Sequence, residues 1–222
     1  MSLPYPIYSQ KGNILDRQSR VLEATPSLAP VRLARIYSNL FSPPLGSAVL
    51  GFAIAWAELS FWPGLMWGAT FGVLVSLVPV LVVVYLLKTG RVSDLHMRHQ
   101  HERHLPYMIS FAGAGLALGA TVAIDGSPLL RGLAVCNVVG LGALGIINVY
   151  WLISNHSAAM MMATAFVGVA FGAQVGLTLT PLVALTVWAR LSLRRHTPAQ
   201  LVAGLLVGAA PVMILANLGY LR

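Results

Sequence analysis

Residues 65–87 read LMWGATFGVLVSLVPVLVVVYLL, an apolar stretch in which no side chain carries a charge. A helix that crosses the hydrocarbon core of a bilayer needs about 20 apolar residues, and this stretch supplies them. It lacks the alternation of polar and apolar residues that a strand of a membrane barrel would show. Because hydrocarbon offers no water to the backbone, its polar groups must pair within one helix. The stretch therefore predicts a transmembrane helix.

The rest of the chain has the same character. It has 222 residues, is 57% hydrophobic and 9% charged, and has a mean hydropathy of +0.78, whereas soluble domains are about 25% charged. We expect an all-α fold, a polytopic transmembrane helical bundle with about six to seven spans. The predicted spans are Leu45–Trp62, Leu65–Leu87 (after a Pro63-Gly64 break), Pro106–Ile124, Leu129–Ile153, two short helices within Ala158–Ala189 divided at Thr178–Pro181, and Pro198–Leu221.

Two parts of the chain differ in polarity. Residues 1–44 form a polar N-terminal lead, and residues 45–222 form the transmembrane helical domain. Within the lead, apolar residues recur at helical spacing over Pro30–Leu40, which predicts an interfacial helix. The polar, proline-containing start does not have the pattern of a cleavable signal peptide.

Polar residues gather in three breaks between the spans, at Lys88–His104, Ser154–Ser157 and Arg190–His196. Two predicted crossings separate each break from the next, so all three breaks should lie on one side of the membrane. Ionisable groups near a bilayer are costly, and their presence indicates function. All 6 histidines lie in the breaks: His96, His99, His101, His104, His156 and His196.

The net charge is +8, from 14 Lys and Arg against 6 Asp and Glu. In a membrane protein this excess is typical of cytoplasmic loops and of contacts with anionic lipid headgroups, and we expect no nucleic-acid partner. The cations predict that the side with the breaks is cytoplasmic, and we expect a bacterial inner membrane. On that side lie Arg32, Arg35, Lys88, Arg91, Arg194 and Arg195, against Arg131 and Arg222 on the other.

The residue types in the breaks favour one kind of chemistry. Arginine presents a planar fork that matches phosphate oxygens and neutralises charge that develops during phosphoryl transfer. One histidine can attack phosphorus while a second protonates the leaving oxygen. No clustered carboxylates are present to hold Mg²⁺. The inventory predicts phosphoryl transfer without a metal.

Three motifs resemble those of the type 2 phosphatidic acid phosphatases. RLSLRRHTPAQ at 190–200 is similar to the family signature Ser-Arg-x5-His-x3-Asp, and ISNH at 153–156 is similar to Pro-Ser-Gly-His. DLHMRHQHERHLP at 94–106 is similar to Lys-x6-Arg-Pro. The order and spacing agree, and the resemblance runs from Lys88 to Gly208.

The resemblance implies a role for each matched residue. His196 would be the nucleophile that forms a phosphohistidine, His156 the general acid toward the leaving alcohol, and Gln200 the residue that orients His196. It also implies a helical bundle that hydrolyses a phosphorylated lipid or an isoprenoid diphosphate without a cofactor, and whose partners are the lipid substrate and the surrounding membrane lipids. The residues that would hold the phosphoryl oxygens are Arg190, Ser154, Arg103 and Arg98.

Two other hypotheses remain open. Gln200 stands where the family has an acid, and His96 stands where it has lysine, which favours a catalytically degenerate structural subunit that assembles with other membrane subunits. The cluster His96, His99, His101 and His104 would instead favour a membrane metal oxidase, although such enzymes use several His-rich boxes and the other breaks contribute one histidine each.

Overall fold

A computed structural model describes residues 28–92, 100–123 and 126–221. All regular elements in this part of the chain are helices, which confirms the predicted all-α class. We label the eight helices α1 Leu28–Leu40, α2 Pro43–Glu58, α3 Phe61–Lys88, α4 His104–Ala123, α5 Pro128–Tyr150, α6 Asn155–Phe171, α7 Ala173–Ser192 and α8 Pro198–Asn217. A short 3-10 turn, Gln100–Arg103, precedes α4.

Five of these helices, α3, α4, α5, α7 and α8, are long and apolar enough to cross a membrane. The pair α1 and α2, bent by 44°, passes the same test as one unit and brings the count to six within the described ranges. α6 has 17 residues, which span only about 25 Å of a hydrocarbon core roughly 30 Å thick. The chain is an integral membrane protein, and α6, which the sequence predicts as a crossing, is a short helix at the lower limit of spanning length.

Two helix boundaries differ from the sequence prediction. The connection between α2 and α3 lies at Leu59–Ser60 and not at Pro63-Gly64. Pro63 falls in the first turn of α3, where its missing N–H has no intrahelical partner to lose. Gly64 allows close packing there, since a Cβ on it would lie 3.0 Å from the Ala55 carbonyl oxygen.

Within the long apolar run 158–189 the chain reverses at Gly172, and the predicted division at Thr178–Pro181 coincides only with a local interruption of α7 at residues 178–179. Gly172 has φ +102°, a conformation that side chains rarely allow, and there the chain reverses from α6 into α7. The reversal is tight, because a Cβ on Gly176 would lie 2.6 Å from the Gly168 Cα. Pro181 lies within α7 at the start of its longer segment and does not end a span.

The core is built from α2, α3, α5, α6 and α8, whose largest buried side chains include Ile54, Leu133 and Phe166. α3 contains one wide π-helical turn, Val73–Leu77, just before Pro79. Proline lacks the N–H that a regular helix would use at that point, a common cause of such irregular turns.

Close packing of α8 on α6 fixes the end of the bundle at which the second and third polar breaks lie. A Cβ on Gly204 would lie 2.6 Å from the Ser154 carbonyl oxygen, and one on Gly208 would overlap the Ala158 carbonyl. Small residues four apart let two membrane helices approach backbone to backbone. The Ser154 amide also donates to the Gln200 carbonyl at 3.2 Å. The starts of α6 and α8 therefore form one unit.

Candidate active site

A cavity of about 370 Å³ lies where the three polar breaks meet. Arg103 reaches it from the first break, His156 from the second, and Arg190 and His196 from the third. The sequence prediction that the breaks converge is therefore confirmed for these four side chains. Other lining residues come from α1 to α5 and from the start of α6: Ser38, Asn39, Ser42, Pro43, Pro44, Pro79, Val80, Val83, Pro106, Tyr107, Ser110, Leu141 and Asn155.

Arg190 lies in the last turn of α7 and is only 3% exposed. Its Nη1 donates a hydrogen bond of 2.9 Å to Ser38 Oγ, whereas its buried Nε has no hydrogen-bond partner. Within the described ranges no carboxylate pairs with this guanidinium. A buried charge is costly unless it is paired and hydrogen-bonded. An anion in the cavity would balance the charge of this guanidinium.

His196 lies in the short connection between α7 and α8, directly before the α8 cap Thr197. Burial, and after it the positive charges of Arg190 and Arg103, lower the pKa of the imidazole from 6.5 to about 4. The Leu152 backbone and the Gln200 side chain act weakly in the opposite direction on this pKa. Its buried Nδ1 makes no hydrogen bond. At neutral pH the ring is therefore uncharged, as a nitrogen nucleophile must be.

His156 lies in the first turn of α6 and is half-buried. Its Nε2 is 3.3 Å from the Ser38 backbone oxygen. Because His156 and Asn155 both line the cavity, the N-terminal end of α6 faces the same space. Helix N-termini favour anions, through their free amides and the helix dipole.

Ser154 and Gln200 each cap a helix, a use that the resemblance does not imply. Ser154 is fully buried and does not line the cavity. Its Oγ accepts from the Ser157 amide at 3.3 Å, so it caps α6. Gln200 completes a capping box on α8, since its Oε1 accepts from the Thr197 amide at 2.9 Å. Both side chains hold helix starts in place, and a hydrogen-bond interaction of the Gln200 side chain with His196 also raises the pKa of the imidazole.

Ser38 is a site residue that the sequence analysis did not single out. It is 2% exposed, and it contacts both Arg190 through its hydroxyl and His156 through its carbonyl. α1 is held against α7 by Tyr37, whose hydroxyl donates to the Leu182 carbonyl at 2.7 Å. The segment Pro30–Leu40, where an interfacial helix was predicted, is helical and forms most of α1. The apolar repeat that predicted this helix does not indicate that Tyr37 and Ser38 make polar contacts with other helices.

Part of the first break lies outside the described residues. This holds for the proposed phosphate ligand Arg98 and for Asp94, His96 and His99, and the side chain of His101 is not described either. Glu102 and Arg103, in the 3-10 turn, are described, and Glu102 is 8% exposed. Among the described side chains, no three His, Cys, Asp or Glu come together to hold a metal ion.

No protein-family model, curated protein or solved structure matches this chain.

Proposed function

We propose that the chain is a metal-independent membrane phosphatase that hydrolyses a phosphorylated lipid or isoprenoid diphosphate through a phosphohistidine. The observation that carries the proposal is the convergence of two arginines and two histidines on one cavity, with Arg190 buried and its Nε unpartnered. The resemblance of the three sequence motifs supports the same chemistry independently.

The phosphoryl group would be held by cations. Arg190 and Arg103 both line the cavity, so two positive charges lie close together there. Each of these charges also lowers the pKa of His196. An anion between the two arginines would relieve their repulsion. Arginine forks match phosphate oxygens, and fixed donors around a transferring phosphoryl group stabilise the charge that develops there. The amides at the start of α6 would add to this stabilisation.

The two histidines would divide the chemistry. In the first step a nitrogen of neutral His196 forms a bond to phosphorus, the bond from phosphorus to the alcohol oxygen breaks, and protonated His156 gives its proton to that oxygen. In the second step His156 takes a proton from water, the water oxygen bonds to phosphorus, and the bond to His196 breaks. The second step restores both side chains and releases inorganic phosphate.

The test is phosphate release by the purified protein in EDTA, from phosphatidate, phosphatidylglycerol phosphate and isoprenoid diphosphates. We expect turnover that is abolished in His196→Ala and in His156→Ala. Arg194→Gln is the matched control, because Arg194 lies in the same loop but is exposed and does not line the cavity. It should retain activity.

A second measurement addresses the intermediate. Brief incubation with labelled substrate should leave an acid-labile phosphate on His196, and its amount should increase in His156→Asn if the hydrolysis step is slowed more than its formation. Full turnover in both histidine variants would contradict the proposal. Absence of turnover in the wild type, together with stoichiometric copurifying subunits, would favour the structural-subunit hypothesis instead.

A further inference from the structure

A second concavity lies beside the cavity, on the outer face of the bundle between α4 and α5. Its volume is about 360 Å³, and most of its exposed lining surface is apolar, although Arg103, His104, Tyr107 and Asn148 also line it. Arg103, Tyr107 and Leu141 line both spaces, so the two adjoin. From Arg103 the lining follows α4 as far as Phe111, a distance of roughly 12 Å along the helix. We call this concavity the α4–α5 groove.

The groove is concave where two glycines, which have no side chain, line it. Gly142 and Gly145 of α5 line it, and a Cβ on Gly145 would meet nothing within 4 Å. Met108 and Ile146 border it and are 67% exposed each. In a membrane-spanning bundle, such exposed apolar side chains face hydrocarbon. The groove is thus open to lipid along its length and adjoins the arginine site at one end.

Another space that adjoins the cavity is much smaller. It shares Pro79 and Ser110 with the cavity, lies inside the bundle and has a volume of about 70 Å³. Sites for small organic ligands are typically about 300–1,000 Å³. A long hydrocarbon chain attached to a phosphate in the cavity would therefore fit the α4–α5 groove and not the interior space.

We propose that the α4–α5 groove holds a hydrocarbon chain of the substrate while its phosphate lies in the cavity, an inference that rests on the proposed function. The ligand class is a phosphate ester of a long-chain alcohol or lipid, with Arg103 at the junction of the polar and apolar parts. Lipid tails are as apolar as the groove, so the chain gains little from leaving the bilayer. The groove selects by shape, and filling it should matter more than changing its polarity.

The test fills the groove in Gly145→Leu and compares dodecyl phosphate with ethyl phosphate. The added side chain has open space, and leucine favours a helix more than glycine does, so folding should be preserved. We expect the KM for dodecyl phosphate to increase about tenfold, within the usual cost of overpacking, and the KM for ethyl phosphate to stay unchanged. Gly119→Leu is the matched control, since Gly119 of α4 also has open space but lies outside the groove.

Two kinetic outcomes would contradict the proposed role of the groove without contradicting the proposed phosphatase function. One is an unchanged KM for dodecyl phosphate in Gly145→Leu, and the other is an equal loss on both substrates. Absence of hydrolysis of either probe by the wild type would instead contradict the proposed function, and the groove is then judged by binding alone.

The binding experiment uses dodecyl phosphate with a photoreactive diazirine at the end of its chain, in vesicles of uncharged lipid. Labelling should concentrate on α4 and α5, decrease in Gly145→Leu, and decrease when inorganic phosphate competes. Labelling spread over all lipid-facing helices, unaffected by phosphate, would show that ordinary membrane lipid alone occupies the groove and would overturn the inference.

Discussion

Arg131 and Arg190 lie at opposite ends of the bundle and are held in different ways. Arg131, in the first turn of α5, donates its Nε to the Gly126 carbonyl at 2.5 Å. Arg190, in the last turn of α7, has a buried Nε with no partner and one bond to Ser38 through Nη1. Buried polar groups in proteins are almost always bonded. Arg131 thus holds a turn, whereas the proposed function assigns the unpartnered group of Arg190 to a phosphate in the cavity.

The largest effect expected from this difference is in catalysis. Arg190→Ala should lower kcat/KM for a lipid phosphate by about 10²–10³, the usual cost of removing one fixed donor from a developing charge. Arg131→Ala should leave kcat/KM unchanged and lower only the free energy of unfolding. Phosphate release and denaturant unfolding measure the two quantities. An Arg131→Ala variant that loses activity as strongly as Arg190→Ala would remove the distinction between the two ends.

The next effect concerns pH. In the proposed mechanism neutral His196 is the reactive form, so kcat/KM should decline on the acid side near pH 4 and not near 6.5. Arg190→Gln removes one of the charges that lower this pKa, so the His196 titration, followed by NMR, should move upward toward 6.5. Arg194→Gln is the control and should move it less.

The lowered pKa of His196 also makes the free energy of unfolding depend on pH. The fold favours neutral His196, since its folded pKa of about 4 lies below 6.5. The stabilisation it contributes is therefore complete above pH 6.5, is lost as the pH falls toward 4, and changes no further below that. His196→Asn should flatten this part of the unfolding profile. An identical pH dependence in the wild type and the variant would contradict the assignment.

A smaller effect is expected from the one bond that Arg190 does make. Ser38→Ala removes the hydroxyl that accepts from Arg190 and keeps the carbonyl near His156. We expect kcat/KM to decrease about tenfold, because one misplaced or unsatisfied charged donor costs roughly 1–3 kcal/mol. Thr178→Ala, which removes an exposed hydroxyl bonded to the Val175 carbonyl, is the control. Equal activity in the wild type and Ser38→Ala would show that Arg190 needs no fixed orientation.

The smallest effect tests the missing charge near His196. Gln200→Glu keeps the geometry of a capping box, since glutamate suits that position, and adds a negative charge near His196 and the start of α8. We expect the pKa of His196 to rise and the rate of phosphohistidine formation to increase a few-fold. Gln200→Met, without a charge or a cap, separates the two contributions. A lower pKa in Gln200→Glu would contradict this reasoning.

Much of the architecture could be predicted from the sequence, because the hydrocarbon core constrains it strongly. The apolar runs predicted the helical bundle, and counting crossings predicted that the breaks converge, which brought His156, Arg190 and His196 together. In the run 158–189, which has no polar break, the predicted division coincides with a local interruption of α7 and misses the reversal of the chain. The reversal depends on the φ of Gly172, and an apolar sequence with many glycines does not single that residue out.

The site was less predictable in the residues that support it. Ser154 and Gln200 matched family positions by spacing, but their side chains are used to cap α6 and α8. Ser38 lay in a segment whose polarity suggested only an interfacial helix. Its role depends on the packing of α1 against α7, a contact between residues 152 apart in the chain. Spacing within one motif carries no information about such a contact.

That separation along the chain also affects biosynthesis. Ser38 leaves the ribosome well before Arg190, which follows it by 152 residues. A chain released before α7 and α8 have been inserted contains α1 and much of the core but has none of the third break. Since membrane helices are made and inserted in order, truncated products would be present in the membrane without hydrolytic capacity. On the proposed function, hydrolysis would begin only when α7 and α8 have packed beside α1.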